Sequence, residues 1–307
     1  MSFEKLTFFG GKGGVGKTTL SCALAVHLSR RGKKTLLIST DPAHSLSDLF
    51  GVSAPQIKEV KKGLFILEID PYGVIKEHIK RILNTIEKSL SPDTFRRVKT
   101  AIESVEDTPG TQESAIVEEL SKIVLSGWHT YDHIVVDTAP TGHTIHMLRS
   151  VSGIGVWIEE LIKNREKAKR LREAGSPENN SDKLLETLRE RRERFSKFHR
   201  LLTSKECAFI PVLNPEKLSI EETGRMINSL SSVGVKIPFI VVNKVLPDNV
   251  EGSFLLSRKE QEKAYLSEIR ERFRKYPLIE VKMRDKDVNS YEELGAVGEE
   301  LERRLRS

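Results

Sequence analysis

Between a short apolar run and a helical stretch the chain carries Gly11-Lys12-Gly13-Gly14-Val15-Gly16-Lys17-Thr18, which fits the pattern GxxxxGK[ST]. The chemistry open to such a segment is phosphate binding. Small residues let successive backbone N–H groups curl around phosphate oxygens, and the following helix adds the positive end of its dipole. Lys17 is spaced to reach the terminal phosphates, and the Thr18 hydroxyl to meet a divalent cation. The bare pattern arises by chance on the order of once per hundred chains of this length, so its setting decides. Here a strand-like run precedes it and a helix follows, as the chemistry requires. Two acids join it. Asp137 ends the run His133 to Val136, and Asp41 follows Leu36 to Thr40. At the carboxyl edge of a parallel strand an acid can hold a metal ion or a water molecule beside the phosphates. Aspartate at a strand end is also a common helix N-cap, so both acids take their meaning from the glycine loop.

Positioning these groups calls for a βαβ unit. Leu6 to Phe9 reads as a buried strand and Gly10 to Gly16 as the turn. Lys17 to about Arg31 reads as a helix, with Leu20, Ala23, Leu24, Ala25, Val26 and Leu28 apolar. Arg30 and Arg31 suit the negative end of its dipole, and Gly32 is a stop signal. Lys34 to Thr40 is the next strand. Further apolar runs at Leu64 to Ile69, Ile134 to Val136, Ala208 to Leu213 and Phe239 to Val242 fit parallel strands covered on both faces. Helix-period segments separate most of them. The expected fold is α/β: a doubly wound, mostly parallel sheet carrying the phosphate loop, with an inserted helical subdomain. A single domain is expected over 1–307, with helical insertions at about 75–125 and 153–205.

The first insertion is broken by Ser91-Pro92-Asp93 and Thr108-Pro109-Gly110. The second holds two amphipathic helices on either side of residues 175–181. One carries Trp157, Ile158, Leu161, Ile162 and Leu171; the other carries Leu184, Leu185, Leu188, Phe195, Phe198, Leu201 and Leu202. Residues 151–205 have 14 Lys and Arg against 9 Asp and Glu, a net +5 within a chain whose formal charge is +6. Two readings fit: a helical hairpin packed on the core with a solvated outer face, or a surface for a client or a membrane-bound partner.

Composition sets the outer bounds. Hydrophobic residues make up 38% of the 307, enough for a substantial core. Charged residues reach 31% and Gln occurs only at 56, 112 and 261, a balance that suggests a thermophile's surface. The charge of +6 permits contact with an acidic surface without identifying one. Two cysteines, Cys22 and Cys207, make no disulfide framework. No signal-type segment opens the chain, and no apolar stretch approaches the roughly 20 residues of a membrane span. A soluble, cytoplasmic protein is expected.

Five segments carry a resemblance. Gly10 to Thr19 has Lys12 in addition to Lys17. Ser39-Thr40-Asp41-Pro42-Ala43-His44-Ser45-Leu46-Ser47-Asp48 looks like a first switch, and Asp137-Thr138-Ala139-Pro140-Thr141-Gly142-His143-Thr144 like a second. Pro109 to Glu113 and Pro215 to Leu218 form a weaker pair. In these the sequence resembles the arsenite-pump and tail-anchored-protein-targeting ATPases, part of the deviant Walker A group of P-loop proteins. The resemblance spans residues 5 to about 300 and is loosest at 153–205. It implies Mg²⁺-dependent ATP hydrolysis. Nucleotide-binding residues would be Gly11, Lys12, Gly13, Gly14, Val15, Gly16, Lys17, Thr18, Thr19 and Asn243, the last reading the adenine. The segment from Met283 to Val288 would close over the base. Thr18 would hold Mg²⁺ directly and Asp137 through water. Asp41 would orient the attacking water, and Lys12 would cross a homodimer interface to the partner's nucleotide.

The implied partners are a membrane-protein client or an integral membrane protein, with no nucleic acid. Departures from the family pattern bear on function. The zinc-binding Cys-x-x-Cys of targeting members falls at Gly252 and Leu255, so no structural zinc is expected. Residues 151–205 contain no Met, unlike an apolar tail-binding groove, and two cysteines cannot make the pump's three-thiol arsenic site. The leading expectation is an ATPase that delivers membrane-protein clients. The alternative is the energy-coupling subunit of an arsenite or anion efflux pump. A DNA-partition role is opposed by the second switch and the helical insertions.

Overall fold

Among the described residues eight strands form one sheet in the order β3-β4-β2-β5-β1-β6-β7-β8. The computed structural model describes residues 3–41, 45–70, 72–77, 111–139, 158–167 and 183–306, with isolated positions at 80, 83, 92, 95–96, 99–100, 151 and 155. The strands are β1 Leu6–Gly10, β2 Thr35–Ser39, β3 Lys58–Lys61, β4 Leu64–Glu68, β5 His133–Asp137, β6 Cys207–Leu213, β7 Ile240–Val245 and β8 Leu278–Lys282. The helices are α1 Lys17–Arg30, α2 Ser45–Phe50, α3 Thr111–Gly127, α4 Lys183–Leu202, α5 Lys217–Val233, α6 Ser253–Arg272 and α7 Tyr291–Arg306. Only β3 runs antiparallel, at one edge against β4; every other pairing is parallel. The sheet is doubly wound about β1, so the loops leaving β1, β2 and β5 share one carboxyl edge.

Strand periodicity explains the layers. Leu6 and Phe8, Leu36 and Ile38, Ile134 and Val136, and Phe209 face one side. There they meet Val117, Leu120 and Val124 of α3, Phe195, Phe198 and Leu202 of α4, and Met226 and Leu230 of α5. Phe9, Leu37, Val135, Ile210 and Val212 face the other side, under α1 and under Leu294, Val297 and Leu301 of α7. A third cluster joins α5 and α6 to β6 and β7 through Ile220, Ile240, Leu266, Ile269 and Phe273.

Of the two helical stretches, α3 and α4 are core elements, whereas residues 76, 77, 80, 92, 96, 99 and 100 are exposed. The apolar stripe of α4 is spent on the sheet, and Ile158 and Ile162 join the same cluster. Arg194 of α4 donates to Glu118 of α3 at 3.1 Å, and Arg191 bonds the same carboxylate. Trp157, Leu171, the 175–181 linker and the 108–110 break lie outside the described residues. Of the 91–93 break only Pro92 is described, and it is helical. Two strands escape the apolar-run criterion. β3 (KEVK) and β8 (LIEVK) are the outermost strands of the sheet and mix charged with apolar residues. Among the described residues no helix is long and apolar enough to cross a membrane.

Candidate nucleotide site

β1 releases the chain at Gly10, and α1 takes it up at Lys17. Between them Gly14 has φ 79° and Gly16 φ 92°, left-handed backbone that side chains resist. At Gly16 space forbids a side chain as well, because a Cβ there would overlap the Asn243 amide nitrogen. The Lys17 ammonium is buried and donates to the Lys12 carbonyl at 3.2 Å. Burial lowers its pKa, and the charges of Asp137 and Asp41 work to raise it. Both acids therefore act on Lys17 electrostatically.

Thr18 Oγ1 donates to Asp137 Oδ2 at 2.7 Å. Asp137 ends β5 and is fully buried, and its Oδ1 has no partner among the described residues. Burial pushes its pKa up from 3.8 to about 7, with the Thr18 bond and the Lys17 charge opposing the rise. A buried acid with one orphaned oxygen beside a hydroxyl is a hard oxygen donor set, which suits Mg²⁺. The residues present fit that ion.

Asp41 follows β2, half-buried, and its N–H donates to Ser39 Oγ at 3.2 Å. Around it the starts of the two switch segments are tied to the sheet and to each other. Thr138 Oγ1 donates to the Phe9 carbonyl at 2.7 Å, and the Ala139 N–H donates to Thr40 Oγ1 at 3.3 Å. Residues 42–44 and 140–144, which complete the switches, lie outside the described residues, as do Pro109 and Gly110. Lys12 is half-buried, and its side chain makes no hydrogen bond or ion pair among the described residues. Gly11 and Val15 are buried, Gly13 and Gly14 are exposed, and Thr19 is half-buried in the first turn of α1.

Asn243 takes a place that spacing did not indicate. Its Nδ2 donates to the Val15 carbonyl at 2.8 Å, so it grips the loop from below. Lys244 completes the grip: its Nζ donates to the Gly14 carbonyl at 2.8 Å, and its φ of 56° is left-handed. Sequence reasoning passed over Lys244; its signal was its place next to Asn243 at the carboxyl edge of β7. Beside this pair opens a cavity of about 830 Å³, lined by Asn214, Pro215, Lys244, Leu246, Tyr265 and Met283. Gly252 and Leu255 stand at the start of α6, where Phe254 and Leu256 are 78% and 55% exposed. Cys22 and Cys207 are both buried, in clusters on opposite faces of the sheet.

A parallel sheet whose first strand turns through such a loop into a helix is the architecture of the P-loop nucleoside triphosphatases. The chain belongs to the anion-transporting ATPase family, whose model matches residues 4–303. It is 44% identical over 290 residues to a protein of Aquifex aeolicus provisionally named arsenical pump-driving ATPase 2, covering 94% of this chain and 96% of that one. It is 32% identical to the ATPase ASNA1 homolog of Dictyostelium discoideum, over 91% of this chain and 85% of that protein. It is 33% identical to ATPase get3 of Aspergillus terreus, over 94% and 87% respectively. ATP hydrolysis is the activity that goes with the family.

Proposed function

We propose that the chain is a Mg²⁺-dependent ATP hydrolase that works as a homodimer and couples ATP binding and hydrolysis to delivery of membrane-protein clients. The observation that carries the catalytic part is the Thr18–Asp137 pair, buried at the foot of the loop with one carboxylate oxygen unpartnered. Backbone N–H groups from Gly11 to Thr19 bind the phosphate oxygens, and Lys17 neutralises charge on the terminal phosphates. Thr18 and, through water, Asp137 would hold Mg²⁺; when bound, the ion would supply further charge neutralisation at the phosphates. Asp41 orients the water that attacks the terminal phosphorus. The cavity beside Lys244 and Met283 receives the base.

Lys12 belongs to the dimer. Its carbonyl is engaged by Lys17, whereas its side chain has no bond among the described residues, which suits reach toward a second subunit. Lys12→Ala then keeps near-normal ATP binding and loses turnover. Because the lysine acts on the partner's nucleotide, excess Lys12→Ala protein suppresses wild-type activity through mixed dimers. Specific activity that ignores excess mutant, despite demonstrated subunit exchange, overturns the trans role.

The second reading, energy coupling to an arsenite or anion efflux pump, is favoured by the name of the 44% identical relative. Co-expression with a tail-anchored model protein, followed by size-exclusion chromatography, separates the two. Co-elution with the client supports delivery; ATPase activity stimulated only by an integral membrane partner supports the pump. Arsenite bridging Cys22 and Cys207 has no part in either, since the two thiols lie on opposite sides of the sheet.

A further inference from the structure

Glu68 is the last residue of β4, an acid within the run Leu64 to Ile69, and it is buried to 5% exposure. A carboxylate withdrawn from water is costly unless it is well hydrogen-bonded. Glu68 Oε1 accepts the backbone N–H of Leu46 at 2.9 Å and of Ser47 at 3.1 Å, and Oε2 accepts the Ser47 hydroxyl. Its own N–H donates to the Ala54 carbonyl at 2.8 Å. One residue of β4 therefore holds the chain both at the start of α2 and just beyond its end. Leu46, fully buried under the sheet, pins the same point from the apolar side.

This anchor faces a second one across the first switch. On the β2 side the Asp41 N–H donates to Ser39 Oγ at 3.2 Å, and the Ser39 carbonyl accepts the Ile69 N–H at 2.9 Å. β2 and β4 are paired through Ser39 and Glu68 themselves. Asp41 and Leu46 are thus each tied to one of two adjacent strands at the same register. We infer that Glu68 is a positioning residue for ATP hydrolysis, fixing the start of α2 so that the Asp41 carboxylate is held over the phosphate loop. The inference rests on the reading of Asp41 as the group that orients the attacking water.

Misplacing a catalytic group by about 1 Å costs on the order of 100-fold in rate. Glu68→Ala is therefore expected to lower kcat by about that factor. Its affinity for MgATP, measured by calorimetry on the full-length protein, stays close to wild type because the loop and Lys17 are untouched. Glu68→Gln keeps an oxygen for the two amides and recovers most of the rate. The decisive step is a double-mutant cycle with Asp41→Asn. If Glu68 acts through Asp41, adding Glu68→Ala to Asp41→Asn costs little more than Asp41→Asn alone.

A further loss in the double variant equal to the single Glu68→Ala effect overturns the inference, as does a Glu68→Ala protein with wild-type kcat or a Glu68→Gln protein as slow as Glu68→Ala. If Glu68→Ala does not fold, Glu68→Asp takes its place, one methylene too short to span both amides. Asp41→Asn with normal turnover overturns the Asp41 role and Glu68's role with it, whereas a normal Glu68→Ala beside an inactive Asp41→Asn overturns Glu68's role alone.

Discussion

Asn243 allows the sharpest test, because the family resemblance and the structure give it different duties. As a base reader it would matter only with nucleotide bound. As found, its amide donates to the Val15 carbonyl at 2.8 Å from a side chain only 9% exposed. Asn243→Ala removes that donor and leaves a buried carbonyl without it, a cost of roughly 1–3 kcal/mol. For a chain of this size that corresponds to a fall in Tm of about 2–5 °C. The nucleotide-free protein is the one to measure, by thermal unfolding followed with circular dichroism. Asn243→Asp is the control, since it keeps the shape but sets an acceptor against an acceptor, and it is expected to be worse than alanine. ATP affinity falls in both variants, because a loosened loop no longer presents its N–H groups in place. A nucleotide-free Asn243→Ala protein that melts with the wild type, while losing ATP affinity, refutes the grip and leaves base reading as the residue's whole role.

Two further outcomes are expected. Lys17→Ala abolishes hydrolysis and weakens nucleotide binding, since removing a cation from the terminal phosphates removes on the order of several kcal/mol of charge stabilisation; a wild-type rate in a steady-state phosphate-release assay contradicts the site. Gly298→Ala improves intrinsic helix propensity in α7 by about 1 kcal/mol. It nevertheless lowers the urea midpoint, because the new methyl overlaps the Ala23 carbonyl and the His27 Cβ of α1, and backbone cannot step aside as a side chain can. A midpoint at or above wild type would show that the two helices part without cost.

What could be read along the chain was local. The phosphate loop was legible because its chemistry needs consecutive residues: the glycines, Lys17 and Thr18 serve the site through the turn they form together. The strands β1, β2, β4, β5, β6 and β7 were legible because burial on both faces demands runs such as TLLIS and CAFIPVL. β3 and β8 were missed for the converse reason, as outer strands that mix Lys and Glu with their apolar residues. The stripe of α4 showed an amphipathic helix but not what would cover it; packing turned Phe195, Phe198 and Leu202 onto the sheet. The pairings that make the site lay further out of reach. Thr18 and Asp137 are 119 residues apart, and Asn243 and Val15 are 228 apart. Glu68 was hidden within an apolar run. Propensity and burial patterns specify elements one at a time, whereas the strand order decides which strand ends meet at a common edge. Only that order brings β1, β2, β4, β5 and β7 together closely enough for a hydroxyl to find its carboxylate and an amide to find its loop.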